Sequence, residues 1–211
     1  YFVRFLPVRG KHEDANSLTD IPDYSAFETG TSLVAILIYN IAIGITWAYL
    51  FLLGLEANIS EQGVANVLTI SQFLGIAGAF IAVILQVKIG RITPLMLGLL
   101  GGALSVFCLV GEVNYIFYSI GVYLFNFLWN LSMPYLLATL ADFDPTARVV
   151  TWGVSMQMIG TAMGPAIAAY ILSLSDYDSV YLVSSVLFIL SAVFLLPGLL
   201  SQKAGILISQ K

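Results

Sequence analysis

Residues 32–54 read SLVAILIYNIAIGITWAYLFLLG, with no Asp, Glu, Lys or Arg anywhere in the run. A hydrocarbon core about 30 Å thick is crossed by about 20 helical residues, and this run is long enough. One charged side chain at the centre of such a helix costs roughly 2.5–3.5 kcal/mol on the insertion scale. The absence of charge is therefore what a spanning segment demands. Five more runs have the same property: 64–87, 92–111, 115–141, 149–174 and 180–200. Strands of a membrane barrel are about 10 residues long and alternate in polarity. These runs are far longer and do not alternate, so the expected fold is an all-α integral membrane bundle of six transmembrane helices.

Composition agrees. Of 211 residues, 59% are apolar and 9% charged, and the mean hydropathy is +0.95. Soluble domains carry about 25% charged residues. So little charge cannot cover a water-facing surface, and so much apolar surface excludes a disordered chain. A net charge of −4 without a basic cluster argues against a nucleic-acid partner. A single cysteine, Cys108, excludes an internal disulfide framework. The single histidine, His12, lies in the polar leader. Intramembrane hydrolysis by a Ser–His pair, thiol redox relays and metalloprotease motifs all lack their residues. No catalytic residue, metal site or cofactor is expected, and the chain does not read as an enzyme.

Residues 1–30 form the only long polar stretch, and Pro7 and Pro22 discourage a continuous helix there. They read as a cytoplasmic loop or linker, residues 31–201 as the bundle, and residues 202–211 as a cytoplasmic tail. The connections 55–63, 88–91, 112–114, 142–148 and 175–179 are short, which makes neighbouring helices antiparallel and puts both tails on one side. All eight basic residues, Arg4, Arg9, Lys11, Lys88, Arg91, Arg148, Lys203 and Lys211, fall on that side. The opposite side holds Glu56, Glu61, Glu112, Asp176 and Asp178. The positive-inside rule makes the basic side cytoplasmic, in an inner or plasma membrane. Asp142 and Asp144, ahead of Pro145, are expected to end the fourth helix and cap the fifth. Arg148 is expected to pair with one of them or with a lipid phosphate. The chain begins at Tyr1 without a recognisable signal peptide, and the expectation is a segment of a longer polypeptide.

Small residues set the expected helix contacts. Ser71, Gly75 and Ala79 form one seam, Gly98 and Gly102 a second, and Gly160 and Gly164, followed by Pro165, a third. Polar residues are uneven along the chain. The first span aligns Asn40, Gly44, Trp47 and Phe51 at helical spacing, with Tyr39 beside them. The fourth aligns Asn126, Asn130 and Pro134, with Tyr123, Trp129 and Met133 alongside. The second and fifth carry Gln72, Gln86, Gln157 and Thr161. The third and sixth are lipid-like, and Ser184, Ser185 and Ser191 are expected to bond back to their own helix. A carboxamide facing lipid is costly, so the three asparagines should face protein or a watery cavity. Spans one and four are alike, as are two and five, and three and six. That period of three suggests two three-helix repeats.

With these features the chain resembles the C-terminal six-helix half of a major facilitator superfamily transporter, over nearly its whole length. Residues 1–30 would be the central loop between halves. Lys88-Ile89-Gly90-Arg91 is similar to the back of the family's Gly-x-x-x-Asp-Arg-x-Gly-Arg loop motif, with Val87 at the Asp place and Val83 at the first Gly place. Gly160-Thr161-Ala162-Met163-Gly164-Pro165 is similar to a Gly-x-x-x-Gly-Pro element that antiporters of the family carry. The resemblance implies alternating access, an N-terminal six-helix half as partner, and a site near the midplane. Lys88, Gly90, Arg91, Gly160, Gly164 and Pro165 become gating and packing residues. Tyr39, Asn40, Trp47, Gln72, Tyr123, Asn126, Trp129, Asn130 and Gln157 become the candidate lining. Amides and aromatic rings suit a small neutral or amphipathic organic solute. A charged one would want a buried counter-charge, and these spans offer none. The alternative is a complete six-span protein acting as a homodimeric channel or assembly protein, although the aquaporin and potassium-filter signatures are missing.

Overall fold

The computed structural model describes residues 26–86, 92–143 and 147–209, with side chains except at 86 and 203–209. These residues form six helices, with no strand among the described residues. The helices are α1 (Ala26–Glu56), α2 (Glu61–Gln86), α3 (Ile92–Phe107), α4 (Tyr115–Phe143), α5 (Arg148–Leu174) and α6 (Tyr177–Ser209). All but α3 are long and apolar enough to cross a membrane. At 16 residues α3 is about 24 Å long, short of a full crossing by itself. The chain is a helical membrane protein.

Several boundaries differ from the sequence reading. Helix α1 starts at Ala26, so residues 26–30 are helical and not linker. Helix α3 stops at Phe107 and not at 111. The chain turns over residues 108–112, where Gly111 takes φ +90°, a conformation a Cβ would oppose. Its N–H donates to Asp178 Oδ1 at 2.8 Å, tying this turn to the start of α6. Helix α6 runs through the expected tail to Ser209, and Gln202 is buried, its Nε2 donating to the Thr139 carbonyl at 2.9 Å.

Capping follows the side chains at hand. Asn114 accepts the Ile116 and Phe117 N–H groups at 3.0 Å and starts α4. Ser60 Oγ accepts the Gly63 N–H at the start of α2. Asp176 Oδ1 accepts the Ser179 N–H at 2.9 Å and starts α6. Asp142 does not cap α5. It lies inside α4, and the N-cap is Ala147, in the left-handed region at φ 60° with no side-chain cap. Asp144 lies outside the described residues.

The helices alternate in direction. The end of α1, the turn after α3 and the start of α6 meet around residues 53–58, 111–114 and 176–178. At the other end, Gly198 of α6 packs on Ser32 of α1 and Phe143 of α4. The start of α1 and the end of α6 therefore share one end of the bundle. Helix α1 packs on α5 and α6, α4 packs on α2 and α3, and α3 packs on α6. Exchanging α1 with α4, α2 with α5 and α3 with α6 maps these principal contacts onto themselves.

The α6 serines correct an expectation. They bond across and not to their own helix. Ser184 Oγ donates to the Ala42 carbonyl at 2.9 Å and meets Thr46 Oγ1 at 2.7 Å. Ser191 donates to Ala35 O at 2.8 Å, and Ser185 to Ala103 O on α3 at 2.9 Å. In α3 and α6 it is the outer faces, with Leu97, Leu104, Val186 and Val193, that are lipid-like and exposed.

Candidate functional site

Aromatic rings from three helices meet halfway along the bundle. Trp47 of α1 and Trp129 of α4 lie edge to face, ring centroids 6.0 Å apart. Phe125 stacks on Trp129 at 6.3 Å with a 22° tilt and meets Trp47 at 6.1 Å. Phe188 of α6 closes the group, 6.3 Å from Phe125 and 5.3 Å from Tyr39, edge-on to both. Residues 125 and 129 are one helical turn apart, so both rings leave the same side of α4. Edge-to-face and offset pairs of this kind contribute about 0.5–1.5 kcal/mol each beyond area burial.

The polar atoms around these rings are mostly used up. Asn40 is buried and donates to the Ile36 carbonyl at 2.8 Å on its own helix. Asn126 is buried and donates to Ser71 Oγ of α2 at 3.0 Å. Asn130 Nδ2 donates to Asn126 Oδ1 at 2.8 Å and to the Asn126 carbonyl at 2.9 Å. This amide pair lies on Gly75, where an added Cβ would sit 2.7 Å from Asn130 Nδ2. Asn126, Asn130, Ser71 and Gly75 thus form an interhelical clasp. Tyr135 Oη and Tyr118 Oη add straps of the same sort, to the Ala82 carbonyl at 2.9 Å and the Leu50 carbonyl at 2.8 Å.

Among the described residues four buried polar side-chain atoms lack a hydrogen-bond partner: Ser32 Oγ near the start of α1, Tyr181 Oη near the start of α6, and two in the ring cluster. The indole N–H groups of Trp47 and Trp129 are buried and have no hydrogen-bond partner, while the two indoles are only partly covered.

The expected lining residues therefore divide. Trp47 and Trp129 come together, and Asn126 meets Asn130. Tyr39 and Asn40 are fully packed and line no open space. Tyr123 is half-buried against the core. Gln72 is exposed on α2 and Gln157 half-exposed on α5, and neither joins the ring cluster's contacts described above. Phe125 and Phe188 are the members that the sequence reading missed. The i, i+4 spacing to Trp129 could have found Phe125, whereas Phe188 lies in an apolar run with no distinguishing mark.

The motif residues also divide. Lys88, Gly90 and Arg91 lie outside the described residues. Gly160 and Gly164 are buried against α1: a Cβ at Gly164 would sit 2.5 Å from Gly44 Cα, and one at Gly160 would sit 2.6 Å from the Leu37 carbonyl. Pro165 is exposed within a helix that continues past it. In the first seam, Ser71 and Gly75 are buried, but contact continues through Gly78 on the Phe127 backbone, with Ala79 only half-buried. Gly98 packs on Ser132.

A separate cavity of about 690 Å³ opens at the end of the bundle where residues 53–58, 111–114 and 176–178 converge. Glu56, Glu112, Asp176 and Asp178 line it, and none of the nine expected lining residues does. Its two aspartates have structural work. Asp178 holds the Gly111 N–H. The backbone N–H and then the hydroxyl of Ser179 hold the Asp176 carboxyl below the usual aspartate range. Among the described residues no group of His, Cys, Asp and Glu could hold a metal ion.

No model of a known protein family matches this chain, and no curated protein matches it.

Proposed function

We propose that this chain is the C-terminal six-helix half of a secondary transporter of the major facilitator type. It would move a small neutral or amphipathic organic solute by alternating access, with an N-terminal six-helix half as its partner. The contact pattern carries this reading: the principal helix pairs map onto themselves when the first three helices are exchanged with the last three. Two such units packed around a central site are the usual repeat logic of transporters. The uncharged middle of the bundle supports a solute without net charge. The bareness of α5 supports a partner in the membrane. Only 17% of its most apolar stretch is buried, against 56% for α1, and it is less apolar than α2 or α6. Thr161, Ala162, Ala166 and Ala169 lie on its open side, and small and hydroxylated residues of this kind pack helices together in lipid. The basic loops would face the cytoplasm.

Entrance counterflow in proteoliposomes tests this with the intact protein and uncharged aromatic glycosides or polyols. A carrier that alternates accumulates label transiently against excess unlabelled solute inside. Simple equilibration without the overshoot would instead favour a channel formed by two copies.

A further inference from the structure

The hydrogen-bonding inventory at the middle of the bundle is lopsided. Asn40 and Asn126 each commit one amide N–H, to Ile36 and Ser71, and Asn130 commits both of its own to Asn126. Ser184 and Thr46 bond to each other and to Ala42. Across the facing sides of α1 and α4, the indole N–H groups of Trp47 and Trp129 are left over, buried without an acceptor. A buried donor left unpaired costs about 1–3 kcal/mol. Two such donors, on rings 6.0 Å apart in one cluster, concentrate that cost in one place. Indole nitrogen donates and cannot accept. Phe125 adds an apolar ring stacked on Trp129.

We infer that Trp47 and Trp129 are the solute-recognition residues of this half, and that their N–H groups receive an acceptor oxygen carried on a flat, apolar, uncharged body. The inference rests on the transport reading and narrows it. Recognition shifts from the asparagines, which bond to Ile36, Ser71 and Asn126, to the indoles. The class is an uncharged carbonyl, ether or hydroxyl compound with an aromatic or alicyclic face. An anion finds no cationic side chain here, and a molecule lacking an acceptor leaves both donors unpaired. Both indoles are partly exposed, while their N–H groups are buried.

The test labels the tryptophan indole nitrogens of the intact protein with 15N. Signals of Trp47, Trp129 and Trp152 are assigned with single Trp→Phe variants. Three probes of one size are added: acetophenone, α-methylstyrene (a methylene in place of the carbonyl oxygen) and benzoate. Acetophenone is expected to move the Trp47 and Trp129 signals downfield and saturably, leaving the exposed Trp152 where it is, while the other two probes move neither. Trp47→Phe and Trp129→Phe, which keep an aromatic ring, are each expected to weaken acetophenone binding about fivefold. The inference is overturned if both N–H signals already sit at hydrogen-bonded positions without probe. It is equally overturned if acetophenone leaves them unmoved, or if α-methylstyrene or benzoate moves them as much. Counterflow that survives in Trp47→Phe/Trp129→Phe at unchanged half-saturation would sink the inference and leave the transport reading standing. Probe-induced shifts without any counterflow would do the reverse.

Discussion

Helix α5 lies on α1 much as α2 lies on α4, yet the two contacts are built from different materials. The α1–α5 contact is backbone against backbone: Gly164 crosses at Gly44, and a Cβ on Gly44 would sit 2.6 Å from the Thr161 carbonyl. The α2–α4 contact also uses glycines, but it adds Asn126 on Ser71, Asn130 over Gly75 and Tyr135 on the Ala82 carbonyl. In lipid there is no hydrophobic force between helices, so close packing and polar bonds must do the joining. At the Gly44–Gly164 crossing the first leans on close packing, where an added methyl has nowhere to go. The other spreads its stability over several weak bonds, each of which can be lost at modest cost.

The largest effect should come from filling the glycine crossing. Gly164→Val and Gly44→Val drive a branched side chain into backbone that cannot give, and each is expected to cost about 3 kcal/mol. Thermal unfolding in detergent would read this as a large drop in midpoint or as loss of folded protein. A normal midpoint for Gly164→Val would mean that the two helices do not cross there. On the other contact, Asn126→Ala removes the links to Ser71 and Asn130 and is expected to cost about 1 kcal/mol, from about 0.6 kcal/mol per bond. A double-mutant cycle with Ser71→Ala sharpens the comparison, since the coupling energy should be near a single bond. Gly30→Ala sets the opposite limit. Nothing lies within 4 Å of a Cβ there, so the change should raise stability by about 0.5–1 kcal/mol through helix propensity alone.

The smallest effect concerns the turn into α6. The Ser179 bonds depress the Asp176 carboxyl in the folded protein, so its contribution is present above the ordinary aspartate range and fades as pH falls through the lower folded value. Amide exchange at Ser179 should therefore quicken only below about pH 4. Asp176→Asn, which keeps an acceptor oxygen, should remove that pH dependence.

The spans were legible because charge exclusion over about 20 residues is a strong, local signal. The glycine crossing was legible in part: Gly160 and Gly164 announce a close contact, but not that Gly44 is the partner. The helix ends were less so. Residues 26–30 look polar enough for a linker, yet α1 already includes them. The turn after Phe107 is fixed by a distant bond from Gly111 to Asp178. The candidate site was the least legible. Asparagines in an apolar run invite a cavity reading, and only the tertiary partners reveal that Asn126 and Asn130 clasp α2. The unpaired state of the Trp47 and Trp129 N–H groups depends on what lies opposite them, and no local pattern encodes it.

Water access to the partly open side of α4 and α5 tests the central claim most directly. In a Cys108→Ser background, Met133→Cys and Gln157→Cys are compared with Phe80→Cys and Val193→Cys, whose side chains lie on exposed apolar faces. Each is exposed to a charged, membrane-impermeant thiol reagent in sealed membranes. A transporter half predicts fast labelling at 133 and 157, from a side that changes when the carrier is trapped in its other state, and slow labelling at 80 and 193. Labelling at 133 and 157 no faster than at 80 and 193, in every condition, would contradict a water-filled pathway on this face.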